Sequence, residues 1–85
     1  QVIPSEIHFV DQFVRVEGGT GYVRLVYPYG EVVEFNIEED TAFIVPAGVD
    51  HFIMNNSSSS LLQFYTVYSG PVHVAGLTEL YPNVV

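Results

Sequence analysis

The chain has 85 residues, no cysteine, and ten acidic side chains against two basic ones, for a net charge of −8. That length allows one domain. The charge excludes phosphate backbones and anionic membrane surfaces as partners, and the missing thiols exclude disulfides, thiolate metal sites and cysteine nucleophiles.

The negative field attracts cations instead, metal ions among them. No apolar run reaches the roughly 18–20 residues that a membrane-spanning helix needs. No signal peptide is visible, so a cytoplasmic location is expected. The first residue is Gln1 rather than Met, which leaves room for a preceding segment. Hydrophobic residues make up 48% of the chain. A chain this short buries only roughly 60–65% of its unfolded surface. The surplus apolar surface and the edge strands predict a homodimer or larger assembly.

Residues 5–17, SEIHFVDQFVRVE, are rich in Val, Ile and Phe and read as one long or two short strands. EGGTG at 17–21 predicts a tight hairpin with glycines at positive φ. YVRLVY (22–27) is a strand, PYG (28–30) a turn, and EVVEFNI (31–37) a strand with Val33, Phe35 and Ile37 on one face. EED (38–40) is an acidic turn. Ala42–Val45 is the next strand, and Pro46, Ala47 and Gly48 end it: proline cannot donate to a ladder, and glycine opens a backbone angle closed to other residues. His51 starts another strand, and alternation puts His51, Ile53 and Asn55 on one face. NNSSSS (55–60) is a polar loop and LLQFYTVY (61–68) a strong final strand. SGP (69–71) breaks it, leaving an irregular tail over 72–85. No apolar stripe of period 3.6 occurs, so almost no helix is expected. Strand-length segments every 8–12 residues point to an all-β sandwich or barrel.

The stretch PAGVDHFIMN, with Pro46, Gly48, His51 and Asn55, resembles the second sequence motif of the cupin superfamily. That motif normally opens on a glycine six residues before the proline, where this chain has Asp40. The first cupin motif carries His-x-His, a Glu and then a Gly. This chain offers Glu6-x-His8, Gln12 and Gly19, so His8 and Gly19 match while Glu6 and Gln12 depart. SEIHFVDQFVRVEGGTG also resembles a subgroup of small stand-alone bacterial cupins often labelled mannose-6-phosphate isomerase-like. The resemblance covers most of the chain and implies a small antiparallel jelly-roll (cupin) barrel over residues 1–85.

Glu6, His8, Gln12 and His51 form the candidate metal site. Glu6 and His8 are two apart on a strand, so they point the same way with Cα atoms roughly 6.5–7 Å apart. Gln12 shares their parity if no bulge intervenes, and His51 comes from another strand, as the resemblance implies. Two imidazoles and a carboxylate suit one divalent transition metal ion, Zn, Fe, Mn, Ni or Cu. Three protein ligands plus open positions suit catalysis better than structure. Asn55 has the place of a structural residue that holds its strand end. His73 falls in a loop, where it is a lid candidate. Arg15 has the parity that points away from the site, and for both Arg15 and Arg24 a surface ion pair is the simpler role. That leaves a phosphosugar without a cation inside. Phe43, Phe52, Phe64 and Tyr65 are core or pocket wall, and Tyr27, Tyr29 and Tyr81 suit an exposed or dimer surface.

Three functions compete on these residues. One is a metal-dependent enzyme, of dioxygenase or isomerase type, acting on a small organic molecule. Another is a non-catalytic module that binds or senses such a molecule. The third is a structural cupin with no working site. Fold alone does not choose among them.

Overall fold

Period-two alternation builds both faces of this fold. The computed structural model describes residues 1–7, 9–69 and 74–82, apart from the side chains of residues 6, 74 and 75. These residues form eight strands and no helix, so no helix is long and apolar enough to cross a membrane. Four strands make the first sheet: β1 (Val2–Ile7), β3 (Thr20–Val26), β4 (Val32–Glu38) and β6 (Asp50–Asn55), in the order β1-β6-β3-β4. The second sheet holds β2 (Gln12–Gly18), β5 (Ala42–Val45), β7 (Leu62–Tyr68) and β8 (Val74–Leu80), in the order β5-β2-β7-β8. All neighbours are antiparallel. This is the all-β arrangement expected of a small jelly-roll barrel.

The core lies between the sheets. Val14 and Val16 of β2, and Leu62 and Phe64 of β7, are buried on one side; Val23 and Leu25 of β3, Ile37 of β4 and Ile53 of β6 are buried on the other. The alternate residues Phe13, Arg15 and Glu17 of β2 point to solvent. β-Branched and aromatic residues dominate these rows because they pack well on a pleated surface.

Three expectations need correction. Residues 17–21 do not form a hairpin. β2 pairs with β5 and β7, whereas β3 pairs with β4 and β6, so the turn carries the chain from one sheet to the other. Alternation tells which face of a strand is apolar, not which strand lies beside it. Gly19 makes the crossing possible: its φ is +88°, and a Cβ there would sit 2.3 Å from the Leu61 carbonyl oxygen. The chain also does not end its order at β7. β8 pairs with β7 from Leu62↔Leu80 to Tyr68↔Val74. As an edge strand it needs only one buried row, and Gly76 and the solvent-facing Leu77 dilute its pattern.

The third correction concerns parity. Glu6 and Gln12 do not share one strand. β1 ends at Ile7, the chain bends at residues 9–10, and β2 starts at Gln12 in the opposite sheet. β1 itself is irregular. Ile3 pairs with Ile53, but Glu6 rather than Ser5 pairs with His51, so one extra residue lies between Ile3 and Glu6. Pro4, which has no N–H for the ladder, sits inside that irregularity.

Candidate functional site

His51 opens β6 as expected, directly after the Pro46–Gly48 turn. Gly48 has φ +81°, and the Val49 N–H donates to the Pro46 carbonyl at 3.2 Å. The imidazole is 2% exposed and belongs to the inward row with Ile53 and Asn55. Its two ladder neighbours are Glu6 on β1 and Leu25 on β3. Glu6 stands directly opposite His51 in backbone register.

Gln12 comes from the other sheet. It is 3% exposed and heads the inward row that continues through Val14 and Val16. Its Oε1 is buried and accepts no hydrogen bond. A buried acceptor in that condition costs about 1–3 kcal/mol, which marks it as a place where a donor or a cation belongs.

One residue that sequence reasoning passed over joins the two motifs. Asp11 precedes Gln12, and its Oδ1 accepts the Ala47 N–H at 2.8 Å, gripping the turn that leads to His51. The Asp11 N–H donates to Ser69 Oγ at 3.0 Å, and its carbonyl accepts the Ser69 N–H at 2.9 Å. The start of β2, the β5–β6 turn and the end of β7 are thereby tied at one end of the sandwich. The available signal was an aspartate, a habitual acceptor for backbone N–H groups, just before a strand. A cavity of about 190 Å³ lies at this end, lined by Asp11, Gln12, Phe13, Ile44, Val67, Tyr68 and Ser69.

The other candidates sort as follows. His8 and His73 lie outside the described residues, as does the side chain of Glu6. Among the described residues no group of three or more His, Asp and Glu side chains is placed to hold a metal ion. Asn55 has a structural place: its Nδ2 donates to the carbonyls of Ser60 at 2.9 Å and Leu80 at 3.0 Å, and its Oδ1 accepts the Ser57 N–H at 2.9 Å. Those bonds bind the Ser-rich loop and the end of β8 to β6.

Both arginines stay outside the sandwich. Arg15 is half exposed and bridges Glu17 at 3.2 Å and Asp40 at 2.7 Å. Arg24 lies on the outer face of β3, 5.1 Å above the Phe52 ring, between Glu34 and Phe52 in register. Tyr22 packs edge-on against the same ring, at 6.3 Å between centroids. Its partial burial and the Glu34 carboxylate hold its phenol above the usual range. Of the aromatic residues expected inside, Phe64 is buried and Phe43 packs against Phe35, 5.2 Å between centroids, but Tyr65 is exposed on the outer face of β7. Tyr29 and Tyr81 are exposed as expected, while Tyr27 packs partly against the core.

A second cavity, about 490 Å³, lies at the opposite end of the first sheet, lined by Thr20, Gly21, Asn36, Ile37, Glu38, Thr41 and Asn56. Neither Gln12 nor His51 lines it.

Comparison with known proteins agrees with the fold. The family model described as Cupin matches residues 5–84. The chain is 37% identical over 76 residues to the uncharacterized protein YrkC of Bacillus subtilis (strain 168), covering 87% of this chain and 40% of that protein. It is 33% identical over 75 residues to the uncharacterized protein L612 of Acanthamoeba polyphaga mimivirus, covering 87% of this chain and 46% of that one. The chain thus spans less than half the length of these curated relatives. No solved structure matches it significantly. With a cupin model matched over residues 5–84 and a two-sheet antiparallel sandwich to go with it, the chain belongs to the cupin family.

Proposed function

We propose that this chain is a metal-binding cupin that takes a small organic molecule beside the ion. The observation that carries the reading is Gln12 Oε1, a buried acceptor with no donor, on the inward face of the sheet opposite His51. A cation supplies what that oxygen lacks. In this reading His51 and Gln12, together with Glu6 and His8, hold one divalent transition metal ion from the set Zn, Fe, Mn, Ni and Cu. The register of Glu6 opposite His51 supports the grouping. Gln12 is a neutral oxygen ligand and binds more weakly than the glutamate of the family motif, which leaves the site more open. Such an ion, when bound, polarises an oxygen of the organic molecule and stabilises negative charge developing there. Of the chain's own residues, His51 and Gln12 orient the bound molecule from opposite sheets, and the buried neighbours Leu25 and Val45 keep water out.

Dioxygenase-type and isomerase-type reactions both fit that chemistry. The substrate side is narrower. The chain's two basic residues, Arg15 and Arg24, both sit on outer faces, so a phosphorylated sugar would meet no guanidinium or ammonium inside the sandwich. A neutral or metal-chelating molecule fits better than a sugar phosphate.

The same oxygen supports a second reading, a non-catalytic module in which a ligand hydroxyl or N–H donates to Gln12 and no ion is needed. One experiment separates them. Metal-free protein is titrated with Mn²⁺, Fe²⁺, Ni²⁺ and Zn²⁺, and each form is screened by thermal shift and oxygen uptake against a panel of small hydroxy acids, diketones and sugars. The metal-binding reading expects ligands that stabilise the metal-loaded form well beyond the metal-free one. Equal stabilisation of both forms, with no ion bound, hands the site to the second reading.

A further inference from the structure

The 490 Å³ cavity at the far end of the first sheet takes no part in the metal reading. Its floor is backbone. Gly21 and Ile37 are ladder partners that face the core: Ile37 is buried, and a Cβ on Gly21 would lie 2.8 Å from the Leu62 side chain and from the Met54 carbonyl oxygen. The side chains around that floor are all polar. Thr20 and Glu38 pair directly, and Asn56 follows Asn55, the partner of Gly21, so the three stand in one row at the sheet end. Asn36 stands in the next row, and Thr41 closes the turn after Glu38.

The hydrogen bonds among these groups fix what each has left to offer. The Thr20 hydroxyl donates to Asn56 Oδ1 at 2.9 Å, which leaves the Asn56 Nδ2 hydrogens to donate outward and the Thr20 oxygen to accept. The Thr41 hydroxyl accepts the Glu38 N–H at 3.1 Å and keeps its own hydrogen to donate. Asn36 and Glu38 are exposed, and among the described residues neither the Asn36 amide nor the Glu38 carboxylate has a side-chain partner. The cleft therefore presents donors at Asn36, Asn56 and Thr41 beside acceptors at Asn36, Thr20 and Glu38.

We infer that this cleft binds a neutral sugar through a pair of adjacent hydroxyls. Each hydroxyl of a vicinal diol both donates and accepts, and the mixed lining answers both needs. Other ligand classes fit it less well. An anion meets the Glu38 carboxylate, a net charge of −8 and no basic lining residue. A hard divalent cation takes six to eight oxygens, about, whereas Asn56 Oδ1 and Thr41 Oγ1 already accept hydrogen bonds. An organic ammonium ion finds one carboxylate, no aromatic ring in the lining, and donors that it cannot answer. The volume lies inside the range of roughly 300–1,000 Å³ usual for small-molecule sites. This inference does not rest on the metal reading, because neither Gln12 nor His51 borders the cleft.

The test is a titration of the isotope-labelled chain, metal-free and zinc-loaded, followed by amide nuclear magnetic resonance. The probes are glucose, mannose, galactose and fructose, each taken to about 100 mM, which covers the millimolar affinities of small exposed sites. At least one hexose should give saturable shifts at Gly21 and at the side-chain amides of Asn36 and Asn56, with the same Kd in both forms of the protein. Its 6-phosphate should bind about fivefold more weakly or worse. Asn36→Ala and Glu38→Gln should each weaken the hexose about fivefold while leaving the rest of the spectrum unchanged. Two separate variants keep the test decisive if one fails to fold. No saturable shift with any hexose overturns the inference. So do shifts centred on Asp11 and Gln12, which would assign the sugar to the other cavity. Undiminished binding in the folded variants overturns it too, as do cleft shifts produced by calcium or spermidine and by no hexose.

Discussion

Glu6 is registered directly across from His51 on the β1–β6 ladder, and an extra residue in β1 puts it there. With a regular ladder from Ile3↔Ile53 onward, Ser5 would stand opposite His51 and Glu6 opposite Asp50. The irregularity around Pro4 and Ser5 lets Ile3 serve the core while position 6 joins the row of His51. Bulges beside sites commonly re-aim one position in this way. Glu6→Gln, which keeps the shape and removes the charge, is expected to weaken divalent-ion binding by about tenfold or more without unfolding the chain. Calorimetric titration of the variant checks this, and undiminished affinity would remove Glu6 from the ligand set.

Gln12 gives a prediction with opposite signs in the two states. Gln12→Leu removes a buried acceptor that has no donor and nearly conserves volume. The metal-free protein should gain roughly 1 kcal/mol, or about 4–8 °C in melting temperature for a domain of this size. The same change should weaken metal binding. Gln12→Glu should do the reverse, since a buried carboxylate is costly without a cation and a stronger ligand with one. If Gln12→Leu destabilises the metal-free protein, the amide is making a contact that this account denies it.

Asp40 is the one non-glycine among the described residues with positive φ, at 70°. It occupies the place where the cupin motif has a glycine, so the backbone still asks for glycine's conformation. Its Oδ1 answers with the 2.7 Å contact to Arg15, and its N–H donates to the Val16 carbonyl at 3.0 Å. Asp40→Gly relieves about 1 kcal/mol of strain and loses an exposed ion pair worth about the same or less, so stability should change little. Asp40→Val meets the same strain with no compensation and should lose more than 1 kcal/mol, roughly speaking. Urea unfolding of both variants measures the difference. A glycine variant as unstable as the valine one would show that the ion pair, not the backbone, decides.

What could be read from the residues followed the range of each signal. Strands β3 to β7 were legible because their apolar rows alternate cleanly, and the Pro46–Gly48 turn into His51 was legible because proline and glycine act on their own backbone. Which strands pair was not. Gly18–Thr20 looks like a hairpin turn locally, yet it links sheets, because pairing is set by how two apolar faces meet across the whole chain. β8 was hidden by its edge position and by Gly76. The common parity of Glu6 and Gln12 held only if nothing broke the strand between them, and the bend at residues 9–10 that breaks it has no composition of its own.

Asp11 is the clasp of the site end. Asp11→Ala should cost about 1 kcal/mol by orphaning the Ala47 N–H, and should loosen the turn that carries His51. Asp11→Asn keeps an oxygen in place and should retain most of the stability. Hydrogen exchange at Ala47 is the direct readout: protection that persists in Asp11→Ala would show that the turn holds itself.

The most direct test of the central claim is the metal content of the purified chain, before and after His51→Ala. Protein purified without added metal, then equilibrated with a divalent transition metal and desalted, should carry about one ion per chain. The His51→Ala variant should carry far less while keeping a cooperative melt. At free metal about a hundredfold above Kd the wild-type gain is roughly 2.7 kcal/mol, so chelator should lower its melting temperature by roughly ten degrees or more and leave the variant unmoved. Equal metal content in wild type and His51→Ala, or no bound ion in the wild type under saturating metal, would contradict the account.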